Sequence, residues 1–262
     1  FERTTREGVD IAGDQYPYTA GSTYLTGALF PRWSLDGGRE ATLERMTGPE
    51  TRKRLLEDIE EIYSKSRGPE GVVIARFVPE QHFEGMNMLQ IAQEVGCGPA
   101  EAALILYEKG EAQVITHMMQ DSDVETIAGH PLVSVGSDGS SLSTEGILSV
   151  GKPHPRSYGT NPRFLARFVR ERKLVSLEEA VRKMTLLPAS RLGLTRRGRI
   201  APGFAADLVV FDPDNVADTA TFESPHSYAG GVPHVAVNGA VVIEDGQFTG
   251  LTPGRVLRNF SD

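Results

Sequence analysis

Cysteine is nearly absent. Cys97 is the single one in 262 residues, so no disulfide can form within the chain, which excludes a disulfide-stapled secreted scaffold and fits a reducing, cytoplasmic setting. No apolar run approaches the roughly 18 residues that a membrane-spanning helix needs. Lysine and arginine never gather in a block and the formal net charge is -8, so long-range attraction to nucleic acid or anionic lipid is not expected. Local metal-ligand spacing is missing too: His82, His117, His130, His154, His226 and His234 include no His-x-His and no His-Glu-x-x-His. Repeats and low-complexity segments are also lacking. The first ten residues are polar and charged, unlike a signal peptide, and the chain opens on Phe1 rather than Met, as expected of a piece of a longer protein.

The composition is that of a folded globular protein, with 39% hydrophobic and 24% charged residues, and the length is enough for a sizeable core. A small molecule is the expected partner. Short β-type runs at 9–14, 72–77, 113–116 and 132–137 alternate with helical patterns, the order expected of parallel βα units in an α/β fold. The helical pattern over 43–63 is interrupted by Gly48-Pro49 and should split in two; 86–95, 99–109 and 122–128 follow. Later helices are expected at 162–172, 177–184 and 188–192, the second opened by Ser176 with Glu179 completing a capping box. After Gly198 the texture changes to strands at 206–211, 235–237 and 241–244 around Asn238-Gly239 and Asp245-Gly246, both hairpin signals. The boundary is set at 196/197, with a small β-rich module over 197–262. Four parallel strands cannot close an eight-stranded barrel, so either the sheet is open or half of it lies elsewhere.

Asp138 follows the strand at 132–137, and its carboxylate is expected at the C-terminal end of a parallel strand, where ligands bind in α/β folds. The competing reading is that Asp138-Gly139 simply makes a turn. Tyr16, Ser22 and their neighbours offer phenols and hydroxyls after the first strand as a substrate loop, with ordinary packing as the alternative for Tyr18 and Tyr24. Arg156, beside His154 and Tyr158, can clamp a carboxylate with two parallel hydrogen bonds, although loop arginines are often merely solvated. His117 either reaches the rim near Asp138 or bonds a backbone carbonyl. Cys97, between two glycines, reads as a small spacer or, alternatively, as a reactive thiol.

Gly-Arg-Ile-Ala-Pro-Gly-Phe-Ala-Ala-Asp-Leu-Val-Val-Phe-Asp at 198–212 resembles the segment by which amidohydrolase-superfamily enzymes return from their barrel to a small β-sandwich. Asp-Gln-Tyr-Pro-Tyr-Thr-Ala-Gly-Ser-Thr at 14–23, Val-Gly-Ser-Asp-Gly at 135–139 and His-Pro-Arg-Ser-Tyr-Gly-Thr at 154–160 resemble the N-acyl-D-amino-acid deacylase branch. The resemblance implies the C-terminal half of a (β/α)8 TIM-type barrel with a β-sandwich-like module. It implies zinc, one or two ions, with Asp138 as a metal ligand and proton shuttle, and Tyr16, Ser22 and Arg156 holding a substrate α-carboxylate. The substrate class it implies is an N-acyl-D-amino acid. The branch's His-x-His, metal-binding Cys and two later His ligands belong to segments upstream of Phe1, and Cys97 does not stand at the metal position. The chain alone is therefore expected to be inactive, its N-terminal half supplied in cis or by a separate chain. Two alternatives remain at this level: a cyclic-amide hydrolase of dihydroorotase or hydantoinase type, and a non-catalytic half that assembles with a partner.

Overall fold

The computed structural model describes residues 1–257. Two short strands, β1 (Gly13–Gln15) and β5 (Val133–Val135), pair in parallel with Gly13 opposite Val133 and Gln15 opposite Val135. The Ser134 hydroxyl bonds the Asp14 carboxylate across this pair. Lys183, fully buried on the helix Leu177–Met184, donates to the Val133 carbonyl at 2.8 Å and to the His130 carbonyl. A buried ammonium is tolerated only where such acceptors replace its water.

Between β1 and β5 the chain makes a detour with a core of its own. It enters through β2 (Ala20–Tyr24) and leaves through β4 (Gln113–His117), with β3 (Val72–Arg76) on the far side of β4. All pairings in this order β2-β4-β3 are antiparallel, which corrects the expectation of parallel units throughout. The reason is the connection. After β3 the chain runs through the helices Met88–Val95 and Pro99–Lys109, and two successive helices bring it back to the end of the sheet that it left, where a single helix would have carried it to the opposite end and permitted a parallel strand. β2 itself was read as a loop, since Ala-Gly-Ser is a poor strand former and only its pairing with β4 makes it one.

The expected break at Gly48-Pro49 is present: helices span Gly38–Thr47 and Pro49–Ser64, the latter with Pro49 in its first turn. Leu55, Ile59 and Tyr63, spaced four apart on that helix, are buried against Ile74, Leu104 and Val114, each such side chain contributing about 1.5–3 kcal/mol. Asn87 and Gln90 form a complete capping box on the helix Met88–Val95. The box foreseen at Ser176 is only half made: the Ser176 hydroxyl accepts the Glu179 N–H at 3.2 Å, but the Glu179 carboxylate goes to Arg182 at 2.7 and 2.8 Å.

A second core gathers Val124, Phe164, Phe168, Ala180 and Val216 beneath β5. The helix expected at 162–172 begins earlier, at Arg156, and continues past Pro162 as a wider π-type turn over Phe164–Glu171. Beyond it, β6 (Leu208–Val210), β7 (His234–Val237), β8 (Ala240–Glu244) and β9 (Gln247–Phe248) form one antiparallel sheet in sequence order. Among the described residues this is a single layer, not two, with Val209 and Val210 more than half exposed.

Candidate active-site cleft

The two units face each other across a cleft of about 410 Å³, within the usual size range of small-molecule sites. One wall is the open face of the β2-β4-β3 sheet, contributing Ser22, Tyr24, Gln113 and Arg76; the other contributes Asp138 and Arg156.

Asp138 lies past the end of β5 with φ +46°, a left-handed conformation that aspartate tolerates better than most residues. The following Gly139 runs against the start of the helix Arg156–Arg163, where a Cβ would stand 2.9 Å from the Ser157 Cα. The Ser140 N–H donates to the Ser157 hydroxyl at 3.2 Å. This close passage brings together two residues far apart in sequence: Arg156 Nη2 lies 2.7 Å from Asp138 Oδ2. The partners differ in exposure, 9% for the arginine side chain and 70% for the aspartate. Asp138, the exposed partner, can move into water while Arg156 stays fixed, provided that another carboxylate takes its place on the buried guanidinium.

Two contacts fix Arg156, the second of them anchored through His154. Its guanidinium lies over the Tyr16 ring, 4.7 Å from the centroid. Its backbone N–H donates to His154 Nδ1 at 3.0 Å, while His154 Nε2 donates to the Ala20 carbonyl at 2.9 Å. These two bonds require the neutral imidazole with the proton on Nε2, and burial pushes the His154 pKa down to about 3. His154 is thus a strut between β2 and the arginine-bearing helix.

The loop entering that helix is pinned at Gly151 and Lys152. The Lys152 N–H donates to the Ala75 carbonyl at 2.6 Å. Gly151 has φ +76°, and a Cβ there would fall 2.5 Å from the Ala75 oxygen. Gly151→Ala is expected to destabilise the protein by about 1–3 kcal/mol through clash and backbone strain, seen as a lower urea midpoint at unchanged slope.

Of the residues singled out in the sequence, Asp138, Arg156 and Ser22 line the cleft and Tyr16 lies behind Arg156. Tyr24 also lines it and is 55% exposed rather than packed, whereas Tyr18 is buried under the Arg163 guanidinium. His117 does not reach the cleft; its ring packs on Phe222, 4.8 Å between centroids. Cys97 is a half-buried spacer against the core of the inserted unit, its thiol pushed up by burial and by Glu101. Sequence reasoning missed Arg76 and Gln113, and nothing local to either residue signals the cleft. No three His, Cys, Asp or Glu side chains gather as a metal-binding group among the described residues. The described residues therefore do not make a complete catalytic zinc site, which takes about three protein ligands; Asp138 can supply one.

Residues 46–243 match the family model described as amidohydrolase family. The chain belongs to the amidohydrolase family. One family relative, the N-acyl-D-glutamate deacylase of Alcaligenes xylosoxydans xylosoxydans, is 35% identical over 98% of this chain and 43% of its own length. The D-aminoacylase of the same organism is 42% identical over 68% of this chain and 35% of its own length. Among solved amidohydrolases, a D-aminoacylase superposes with a TM-score of 0.71 at 34% identity, covering 95% of this chain and 43% of that one. The N-acyl-D-glutamate deacylase of Bordetella bronchiseptica, solved with zinc and a phosphonate inhibitor, gives 0.70 at 34% identity, covering 92% and 41%. The chain thus spans less than half the length of these relatives, and the fold they share with it is α/β. No helix among the described residues is long and apolar enough to cross a membrane.

Proposed function

We propose that this chain is part of a zinc-dependent enzyme that hydrolyses the amide bond of N-acyl-D-amino acids, releasing a carboxylate and a D-amino acid. The observation that carries the reading is the Asp138–Arg156 pair: an exposed carboxylate beside a buried, immobilised guanidinium in one cleft. The chemistry needs both. Arg156 takes the substrate α-carboxylate through two N–H groups, with Tyr16 behind it and the Ser22 hydroxyl on the facing wall. Asp138, released from Arg156 as the substrate carboxylate replaces it, accepts the proton of the attacking water. As the C–N bond breaks it passes that proton to the leaving amine.

The amidohydrolase relatives, two of them named for deacylation of D-amino-acid derivatives, support the substrate class. In this reading the parallel pair β1–β5 belongs to a (β/α)8 barrel whose remaining strands, with the other ligands of one or two zinc ions, lie on chain outside this sequence, in cis or on a separate polypeptide. A reducing cytoplasm suits Cys97. The test is release of free amino acid from N-acetyl-D- and N-acetyl-L-amino acids by the complete polypeptide with zinc. Turnover confined to the D series is expected, and none from this chain alone. Absence of D-amino-acid release by the complete polypeptide would falsify the reading.

A further inference from the structure

The sheet wall of the cleft contains one irregularity, and it determines where a charge points. Along β3 the side chains alternate: Ile74 lies in the core of the inserted unit with Val114, whereas Ala75 lies on the other face with Ile115 and Ala20. Strict alternation would turn Arg76 back towards the core beside Ile74. A register shift between Ile74 and Arg76 prevents this, and Arg76 stands opposite Gln113. Gln113 in turn is the cross-strand partner of Tyr24. Residues opposite one another share a face. The irregularity therefore sets Tyr24, Gln113 and Arg76 in one row across the three strands, on the face that carries Ser22 and lines the cleft. β-Bulges beside active sites commonly re-aim a side chain in this way. The Ala75 carbonyl at the same irregularity accepts the Lys152 N–H, which anchors the loop that leads to Arg156.

Arg76 is exposed and has no ion pair or hydrogen bond to any described residue. Arg156 is already spoken for by Asp138 on one side and by an α-carboxylate in the proposed reaction. In a chain of net charge -8, a second guanidinium turned into the same cleft without a carboxylate of its own is an unfilled anion site.

We propose that Arg76 is a specificity-determining residue that binds a carboxylate on the substrate side chain, so that the preferred substrates are N-acyl derivatives of acidic D-amino acids. The inference rests on the deacylase reading above and adds a second anionic group to the substrate. It requires the two arginines to divide the work, with Arg156 reading the carboxylate common to all such substrates and Arg76 the one that distinguishes acidic from neutral members.

The experiment compares kcat/KM of the complete zinc-loaded polypeptide for N-acetyl-D-glutamate, N-acetyl-D-aspartate and N-acetyl-D-leucine, in the wild type and in Arg76→Gln and Arg76→Lys. The wild type should prefer at least one acidic substrate over the leucine derivative, by about 100-fold or more, the discrimination expected when a site built for a charged group is left unpaired. Arg76→Gln should collapse that ratio to within about tenfold, and Arg76→Lys should restore part of it, since the charge remains and the fork is lost. Unchanged far-ultraviolet circular dichroism and melting temperature in Arg76→Gln show that the ratio reports recognition rather than folding. An acidic-to-neutral ratio near one in the wild type, or a ratio that Arg76→Gln leaves unaltered, overturns the inference while leaving the deacylase reading standing. No turnover of any N-acetyl-D-amino acid overturns both.

Discussion

Asp138→Asn should lower kcat for deacylation by about 100-fold to 10,000-fold, the usual contribution of a positioned general acid–base group. The substitution keeps the shape of the side chain and removes its charge, and with it the capacity to take and return a proton. The Asp138 side chain is 70% exposed and the asparagine carbonyl can still accept from the buried Arg156, so the stability lost should stay within about 3 kcal/mol and the melting temperature should fall by no more than roughly 10 °C. Asparagine also tolerates the φ of +46° found at this position, so backbone strain does not confuse the result. KM should change far less than kcat, since in the proposed reaction it is Arg156 that takes the substrate carboxylate. Steady-state kinetics on the complete polypeptide read both constants; activity within tenfold of wild type would remove Asp138 from the proton-transfer role.

Acidification should unfold the protein partly through His154. In the fold its pKa lies near 3, whereas the exposed imidazole of the unfolded chain titrates near 6.5. Above about pH 6.5 the residue is neutral in both states and has no effect on the balance. As the pH falls below that value the unfolded chain takes up a proton that the folded state refuses, so stability declines steadily towards pH 3. Each pH unit in this window is worth roughly 1.4 kcal/mol, several kcal/mol in all as an order of magnitude. His154→Gln provides the control. Glutamine can donate to the Ala20 carbonyl and accept from the Arg156 N–H, but it does not titrate. Urea unfolding of the two proteins between pH 7 and pH 4 should show wild type losing its advantage as the pH falls. Parallel stability curves would contradict the buried neutral imidazole.

How far the sequence carried differs by element, for physical reasons. β3 and β4 were legible because Val72-Val73-Ile74 and Val114-Ile115 are dense in β-branched residues, a property of the residues themselves. Their antiparallel direction was not, because it depends on how many helices intervene and where these pack. β2 was invisible for the converse reason: Ala20-Gly21-Ser22 has no strand preference, and a long-range partner creates the strand. Asp138 and Arg156 were each singled out by their local surroundings, yet their pairing at 2.7 Å depends on Gly139 passing against Ser157, which no spacing rule encodes. Arg76 escaped notice because its direction is set by a one-residue shift in register, and such a shift leaves no mark in composition.

The neck formed by β2 and β4 has a further consequence. Residues 25–112 have their own core and return to within one ladder of where they left, Tyr24 facing Gln113 and Ala20 facing His117. A segment whose two ends are stapled side by side can lengthen, shrink or be exchanged wholesale without displacing the strands before and after it, because closing a loop depends only weakly on its length. The segment therefore behaves as a cassette: its helices can vary while the strands before and after it keep their places, provided that the Ala75 carbonyl, which holds the loop leading to Arg156, is kept.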